Sequence, residues 1–370
     1  MISRPGRRSV LSLALTPWLL ASKRVPFGQT DLFRQGDAGV HTYRIPALIE
    51  ARRGTLIAVA DARHDGGGDL PARISLVMRR SQDRGRTWSA MRTLRAVDAG
   101  GVGDASLLLD HNTGRIWCFH AYGPPGIGFS TAKPGAISGP DTLQVHAIHS
   151  DDEGATWSAP LDLTPQLKDP AWAAIFATSG THFQTSRGRY VVPLVVRDAS
   201  RAVAARNACS DDAGKTWKVG PVICPESDES KALEIAGGVI IQNMRGNGQT
   251  RILARSSDGG VTFGKPERPV ELVDPGCNAG FARYRHGGKD LLLSTNAAAT
   301  KRRNLTLKLS TDGRAWSKGH VIHEGPAAYS TVLPLRDGSI AMLYECGETQ
   351  STERITFARF ELNGMEDRPR

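Results

Sequence analysis

Apolar residues along this chain come in short runs bounded by turn formers, not on a helical period. Leu56-Ile57-Ala58-Val59-Ala60, Ile74-Ser75-Leu76-Val77-Met78, Tyr190 through Val196, Leu291-Leu292-Leu293 and Leu305-Thr306-Leu307-Lys308-Leu309 each have strand length and strand composition. No stretch sustains the i, i+3, i+4 spacing of an amphipathic helix. The pattern predicts an all-β chain of many short strands.

A motif recurs between these runs. Ser-x-Asp-x-Gly-x-Thr-Trp stands at Ser81–Trp88, Ser150–Trp157 and Ser210–Trp217. Ser256–Phe263 ends on Phe, and Ser310–Trp316 is one residue short. The starts lie 69, 60, 46 and 54 residues apart. Repeats on this scale mark propellers or solenoids. Locally the motif is a hairpin turn: Asp caps backbone N–H groups, Gly supplies a positive φ, and the aromatic folds back onto the sheet. Four-stranded blades around a channel fit the spacing. Asp83 and Asp152 are therefore expected to be structural, not catalytic.

Composition adds little to this and removes some function classes. The 370 residues are 40% hydrophobic and 23% charged, and 40 Gly with 21 Pro suit many tight turns. The net charge of +10 favours an acidic partner: nucleic acid, an anionic surface or a small carboxylate. The basic residues are scattered and no nucleic-acid-binding motif is present, which disfavours the first. Cys118, Cys209, Cys224, Cys277 and Cys346 are odd in number and widely spaced, so buried free thiols are expected instead of disulfides or zinc. His41, His64, His120 and His182 are not at metal-ligand spacing, and neither metal nor cofactor is expected.

Residues 1–24 differ from the rest. Arg4, Arg7 and Arg8 precede an apolar stretch, Val10–Leu15, and a small residue, Ala21, follows. That is the layout of an export signal, with Arg7-Arg8 similar to a twin-arginine motif. The alternative is a frayed extension of a cytoplasmic protein. No segment is long and apolar enough to predict a membrane span.

The departures from the repeat carry the candidate chemistry. Arg44 enters a strand in Tyr43-Arg44-Ile45-Pro46, Arg63 ends the next, Arg245 closes Ile240–Arg245, and Arg302 lies in Lys301-Arg302-Arg303-Asn304. A charge at a strand position needs a partner, because an unpaired buried charge is costly. Arginine is the side chain suited to bind a carboxylate with two parallel hydrogen bonds.

Tyr-Arg-Ile-Pro, followed by Asp61-Ala62-Arg63-His64-Asp65-Gly66-Gly67-Gly68-Asp69 and the first Ser-x-Asp box, resembles the exo-α-sialidases (neuraminidases) of bacteria and animals. Gly103-Asp104-Ala105-Ser106, Asp228-Glu229-Ser230-Lys231 through Glu234, Ala328-Tyr329-Ser330 and Leu343-Tyr344-Glu345 extend the likeness over residues 35–362. The resemblance implies a six-bladed β-propeller over residues 25–365, a single catalytic domain whose last blade is closed by the two chain ends. It implies a retaining glycoside hydrolase that removes terminal sialic acid from sialylated glycans, acting as a monomer. Arg44, Arg245 and Arg302 would clamp the substrate carboxylate, with Glu345 orienting Arg44. Tyr329 would be the nucleophile, Glu229 its base and Asp69 the acid/base. Arg63 and Asp104 would line the floor. Arg303 competes with Arg302, Asp65 with Asp69, and Glu234 with Glu229. Lys231 stands where the family often has Gln, and Ala105 where it has Pro. Lys231 would either lower the basicity of Glu229 or point outward. Transfer of sialic acid to an acceptor, action on a related acidic sugar, and a non-catalytic binding propeller are the rival functions.

Overall fold

In a computed structural model, which describes residues 28–362, the apolar runs are paired as antiparallel sheets; the export-like stretch 1–24 lies outside those residues. Thr42–Glu50, Leu56–Arg63, Ile74–Ser81 and Arg92–Arg95 form one sheet in chain order. Gly101–Leu109, Ile116–Gly123, Gln144–Ser150 and Leu161–Asp162 form the next, and Gly180–Thr181 adds to its first strand in parallel. Trp172–Ala177, Tyr190–Asp198, Val203–Ser210 and Lys218–Val219 repeat the plan. So do Ser230–Glu234, Ile240–Met244 and Ile252–Ser256, where Leu253 bridges to Glu267 in place of a fourth strand.

Gln249–Thr250 and Val273–Asp274 pair as a separate two-stranded ribbon, and seven further strands form one sheet. Gly280–His286, Lys289–Ala297 and Arg303–Ser310 lead into the 15-residue strand His320–Pro334. Its first half pairs back to Arg303–Leu307, and its second half pairs forward with Ser339–Cys346, which is followed by Arg354–Glu361. Gly28–Arg34 then pairs antiparallel with Arg354–Glu361, with Thr30 opposite Phe357. Strands from the two ends of the described chain thus complete a single sheet, and the whole is a propeller-like, nearly all-β arrangement. Among the described residues, helix is limited to one turn at Thr164–Leu167 and two three-residue 3-10 turns.

The core lies between sheets. Ile57, Val59 and Leu76 of the first sheet pack with Val102, Leu107 and Cys118 of the second. Leu108, Phe119 and Val145 of the second pack with Ile175, Val192 and Leu194 of the third. Both faces of a strand are then buried, so the runs read as nearly continuous apolar segments.

Each Ser-x-Asp box turns the chain out of the third strand of its sheet. Ser81 Oγ donates to Asp83 and accepts from the Gly85 N–H at 2.7 Å; the Thr87 N–H and hydroxyl both donate to Asp83. The box glycines Gly85, Gly154 and Gly214 have φ of 85°, 76° and 86°. They are needed a second time for space: a Cβ on Gly85 would lie 2.4 Å from Phe357, and one on Gly154 2.6 Å from Ile57, both on the neighbouring sheet. Trp88 packs edge-on against Phe357 with ring centroids 5.0 Å apart. The boxes therefore fasten sheet to sheet as well as turn the chain.

Scattered cations serve the same seams. Arg255 donates to the Asp312 carbonyl at 3.0 Å, Arg92 to the Ala155 carbonyl at 2.9 Å and Arg189 to the Asp258 carbonyl at 3.3 Å. Much of the basic balance is structural. All five cysteines are free and buried, as expected, and burial pushes the Cys118 thiol up to about 12.

Candidate active site

Arg44, Asp104 and Tyr329 lie on strands that are bulged where they carry them, and Asp61, Arg63 and Glu345 lie on the strands paired beside two of these. The register of Thr42–Glu50 slips between Arg44 and Ala47, with Ile45 at φ 61°. That of Gly101–Leu109 slips between Gly103 and Ser106, with Asp104 at φ 59°. The long strand slips between Ala327 and Ser330, on either side of Tyr329. A bulge re-aims a side chain out of the sheet's alternation. Positive φ at a β-branched residue such as Ile45 is rare and costs on the order of 1–3 kcal/mol, so surrounding contacts must impose it.

Glu345 imposes it. This carboxylate is fully buried and receives Arg44 Nε and Nη2 at 3.1 Å each, the Ile45 N–H at 2.8 Å and the Tyr329 N–H at 3.2 Å. One acid thus holds Arg44 in a two-point pair and pins both bulged strands. Arg44 lies with Cζ 4.9 Å from the Tyr329 ring centroid, and Arg302 with Cζ 5.5 Å from the same ring.

Tyr329 is the hub. It is 8% exposed, and its hydroxyl donates to Glu229 Oε2 at 2.5 Å. Arg245 Nη1 donates to that same carboxylate oxygen at 2.7 Å and to the tyrosine oxygen at 3.0 Å. Burial, then the Glu229 charge, push the Tyr329 hydroxyl well above its ordinary range, against the pull of Arg245 and Arg44. The resting side chain is a neutral phenol hydrogen-bonded to the Glu229 carboxyl. Arg245 also lies 3.6 Å from Asp228. Arg302 Nη2 is 3.4 Å from the Gly276 carbonyl. That turn is held by the buried Arg251, which donates to the Cys277 carbonyl at 2.5 Å and pairs with Asp274 at 3.4 Å.

The second half of the site is acidic. Arg63 is 2% exposed; its Nη2 meets Asp69 at 2.6 Å and Asp61 at 3.7 Å, and its Nη1 donates to the Gly67 carbonyl at 2.6 Å. The glycine-rich segment is therefore tied down at Gly67, while the Asp69 side chain is 79% exposed. The Asp104 N–H donates to Asp61 at 3.0 Å, and a Cβ on Gly103 would crowd that carboxylate at 3.0 Å. Burial pushes Asp61 up to about 7, opposed by Arg63. Burial raises Asp104 well above the usual carboxylate range, and Asp61, Glu229 and Asp69 add to the shift, in that order. Asp104 thus feels the charges of both halves of the site.

All nine candidate residues converge here, and the competitors fall elsewhere. Arg303 is exposed and its backbone pairs with Pro326. Asp65 forms an exposed two-point pair with Arg73 at 2.6 and 3.0 Å. Glu234 accepts from the Ser186 N–H and hydroxyl at 2.6 and 2.7 Å, and lines a separate cavity of about 770 Å³ at the opposite ends of the same inner strands. Asp61, Ser179 and Asn278 belong to the site, and the sequence reading gave them no role. Asp61 had a signal, its place two residues before Arg63; Ser179 and Asn278 had none. One of the two readings of Lys231 is excluded: it is 2% exposed and does not point outward. No group of three or more His, Cys, Asp and Glu among the described residues is arranged to hold a metal ion.

Residues 101–342 match the BNR repeat-like domain family. A sialidase of Micromonospora viridifaciens is 33% identical over 98% of this chain, and one of Bacteroides fragilis 34% identical over 89%. The chain spans 61% and 64% of the lengths of those two relatives. The solved structure of the Hadza microbial sialidase Hz136 aligns with a TM-score of 0.83 at 30% identity, over 90% of this chain and 68% of that one. With the family match covering more than half its length, the chain belongs to the BNR-repeat sialidase (neuraminidase) family.

Proposed function

We propose that the protein is a retaining exo-α-sialidase, a glycoside hydrolase that releases terminal sialic acid from glycans. The observation that carries this reading is the 2.5 Å hydrogen bond from the Tyr329 hydroxyl to Glu229, ringed by Arg44, Arg245 and Arg302. A sialic acid bears a carboxylate on its anomeric carbon. An anionic Asp or Glu nucleophile would be repelled there, so a neutral hydroxyl is the better attacking group. Sialidases are the known tyrosine-nucleophile exception among glycosidases. A tyrosine of pKa about 10 needs a base, and Glu229 is in place to be it.

Two displacements make up the reaction. The three arginines bind the substrate carboxylate. The Tyr329 oxygen bonds to the anomeric carbon as its proton passes to Glu229. The bond to the leaving oxygen breaks as Asp69 gives that oxygen a proton. Water then attacks the same carbon, Asp69 takes the water's proton, and Tyr329 leaves with the proton held by Glu229. Asp69 has to release Arg63 to do this. The exposed segment Gly66–Gly68 supports such a movement, since a Cβ on Gly66 or Gly67 would meet nothing within 4 Å.

The seven-stranded sheet reads as two blades sharing His320–Pro334, which gives six blades in a single catalytic domain and agrees with this assignment. The basic-then-apolar stretch 1–24 supports export. The test is release of sialic acid from a fluorogenic α-sialoside by the full chain. Turnover is expected; a folded protein inactive on every α-sialoside and related nonulosonic acid overturns the proposal.

A further inference from the structure

Lys231 is a buried cation that the steps above do not use. It lies on the strand Ser230–Glu234, two residues after Glu229, and both side chains reach Asn278. The chain makes room for it: a Cβ on Gly180, at φ 109°, would lie 2.6 Å from Lys231 Cε. Lys231 Nζ donates to Asn278 Oδ1 at 2.7 Å. Asn278 Nδ2 in turn donates to Ser179 Oγ at 2.8 Å and to Glu229 Oε1 at 3.1 Å. Ser179 Oγ is itself 3.4 Å from Oε1. Glu229 is thus held on both oxygens, Oε2 by Tyr329 and Arg245 and Oε1 by Asn278.

An amide has two orientations, and only one of them helps a carboxylate. An ammonium has donors and no acceptor, so the Asn278 oxygen must face Lys231 and its NH₂ must face Glu229. The flipped amide would set its oxygen against a carboxylate. We propose that Lys231 is a positioning residue for the catalytic base: it locks the Asn278 amide toward Glu229 and places a buried positive charge behind that carboxylate. This rests on the sialidase reading of Glu229.

Other charges bear on Lys231 from each side. Glu229 is on its own segment, Arg251 is on the strand 252–256 side and is paired with Asp274, and His182 follows the Gly180–Thr181 strand. Burial pushes the Lys231 ammonium down to about 7; Glu229 opposes that and Arg251 adds to it. Beyond Glu229 lie Arg245, Tyr329 and Asp104. A cation near a carboxylate keeps it ionised to lower pH.

The experiment is the pH dependence of kcat and KM on a fluorogenic α-sialoside, using the full chain. Lys231→Met is expected to keep its KM within about twofold, because Lys231 does not line the substrate side, and to move the acid limb of kcat/KM up by about one pH unit. Lys231→Gln retains a donor for Asn278 without the charge. It should show the same limb shift with a higher plateau kcat than Lys231→Met. Asn278→Ala removes the amide donor to Glu229 and should raise the limb by itself, and adding Lys231→Met to it should raise the limb further, because the buried charge is lost as well. A Lys231→Met profile that superimposes on the wild type overturns the inference, as does a variant that only melts earlier. If Lys231→Met does not fold, an unshifted Asn278→Ala profile overturns it instead. Wild-type inactivity removes the sialidase reading itself, a result distinct from an active wild type with an insensitive limb.

Discussion

The boxes and the central site are built from the same residue types, and their acids behave in opposite ways. Asp83, Asp152 and Asp212 are satisfied by serine and threonine within four residues of themselves, and those hydrogen bonds hold each carboxyl down to about 2. Asp61 and Asp104 lie low in the site among other carboxyls; burial pushes Asp61 up to about 7 and raises Asp104 well above the usual carboxylate range. The box aspartates find their partners inside their own turns. The site is buried and completed only by residues from distant strands, as in the Arg44–Glu345 pair, 301 positions apart. A motif that repeats is therefore the scaffold here, and the residues that break the repeat form the candidate site.

The most severe way to break this comparison is to remove the hub. Tyr329→Phe should lower kcat/KM on the order of 10³-fold or more with an unchanged thermal melt. A box variant, Asp152→Ala, should leave turnover within about twofold. If the two lose activity alike, the division is wrong. Next is Asp69→Ala, expected to lose about 10²- to 10⁴-fold on a natural sialoside. The loss should be smaller on a substrate whose phenol leaves without a proton, and equal losses on both substrates would remove Asp69 from the acid role.

Glu345→Gln tests whether the centre depends on distant pairing. It leaves Arg44 buried without its counter-ion, and a destabilisation of about 3–5 kcal/mol is expected in urea titration. The comparison also predicts two pH windows. The box aspartates, held at about 2, contribute stability that is fully present above their ordinary value near 4 and is lost as pH falls toward 2. Asp61, raised to about 7, contributes stability that is present below pH 4 and lost as pH rises through about 7. Melting temperature against pH should therefore flatten on the neutral side in Asp61→Asn and on the acid side in Asp152→Asn. The smallest effect is that of one box: Asp152→Ala should lower Tm by about 2–4 °C.

Much of this was legible in the chain, for physical reasons. A strand buried on both faces must be apolar throughout, so the runs at Leu56 and Tyr190 marked strands directly. A turn that caps itself carries its partners within four residues, so the boxes were readable as turns. The preference for Arg302 over Arg303, and for Asp69 over Asp65, rested on the likeness to the sialidase motifs. The bulges at Ile45 and Asp104 could not be read, because a slip in register depends on the facing strand. Asn278 and Ser179 carry no motif; they matter only because the closed ring brings them to Glu229. The burial of Lys231 was equally hidden, since it depends on Gly180 leaving space 51 positions earlier.

By itself, then, the sequence determined the strand content, the box turns, the free thiols and the presence of arginines suited to bind a carboxylate. These arise from local hydrogen bonding, burial pattern and side-chain chemistry, which short segments carry with them. Tertiary structure decided that Glu345 would brace Arg44 and Tyr329 together, that Asp61 and Asp104 would share one recess, and that Lys231 would lie behind Glu229. Such charges can sit together out of water only when strands from opposite ends of the chain supply one another's partners.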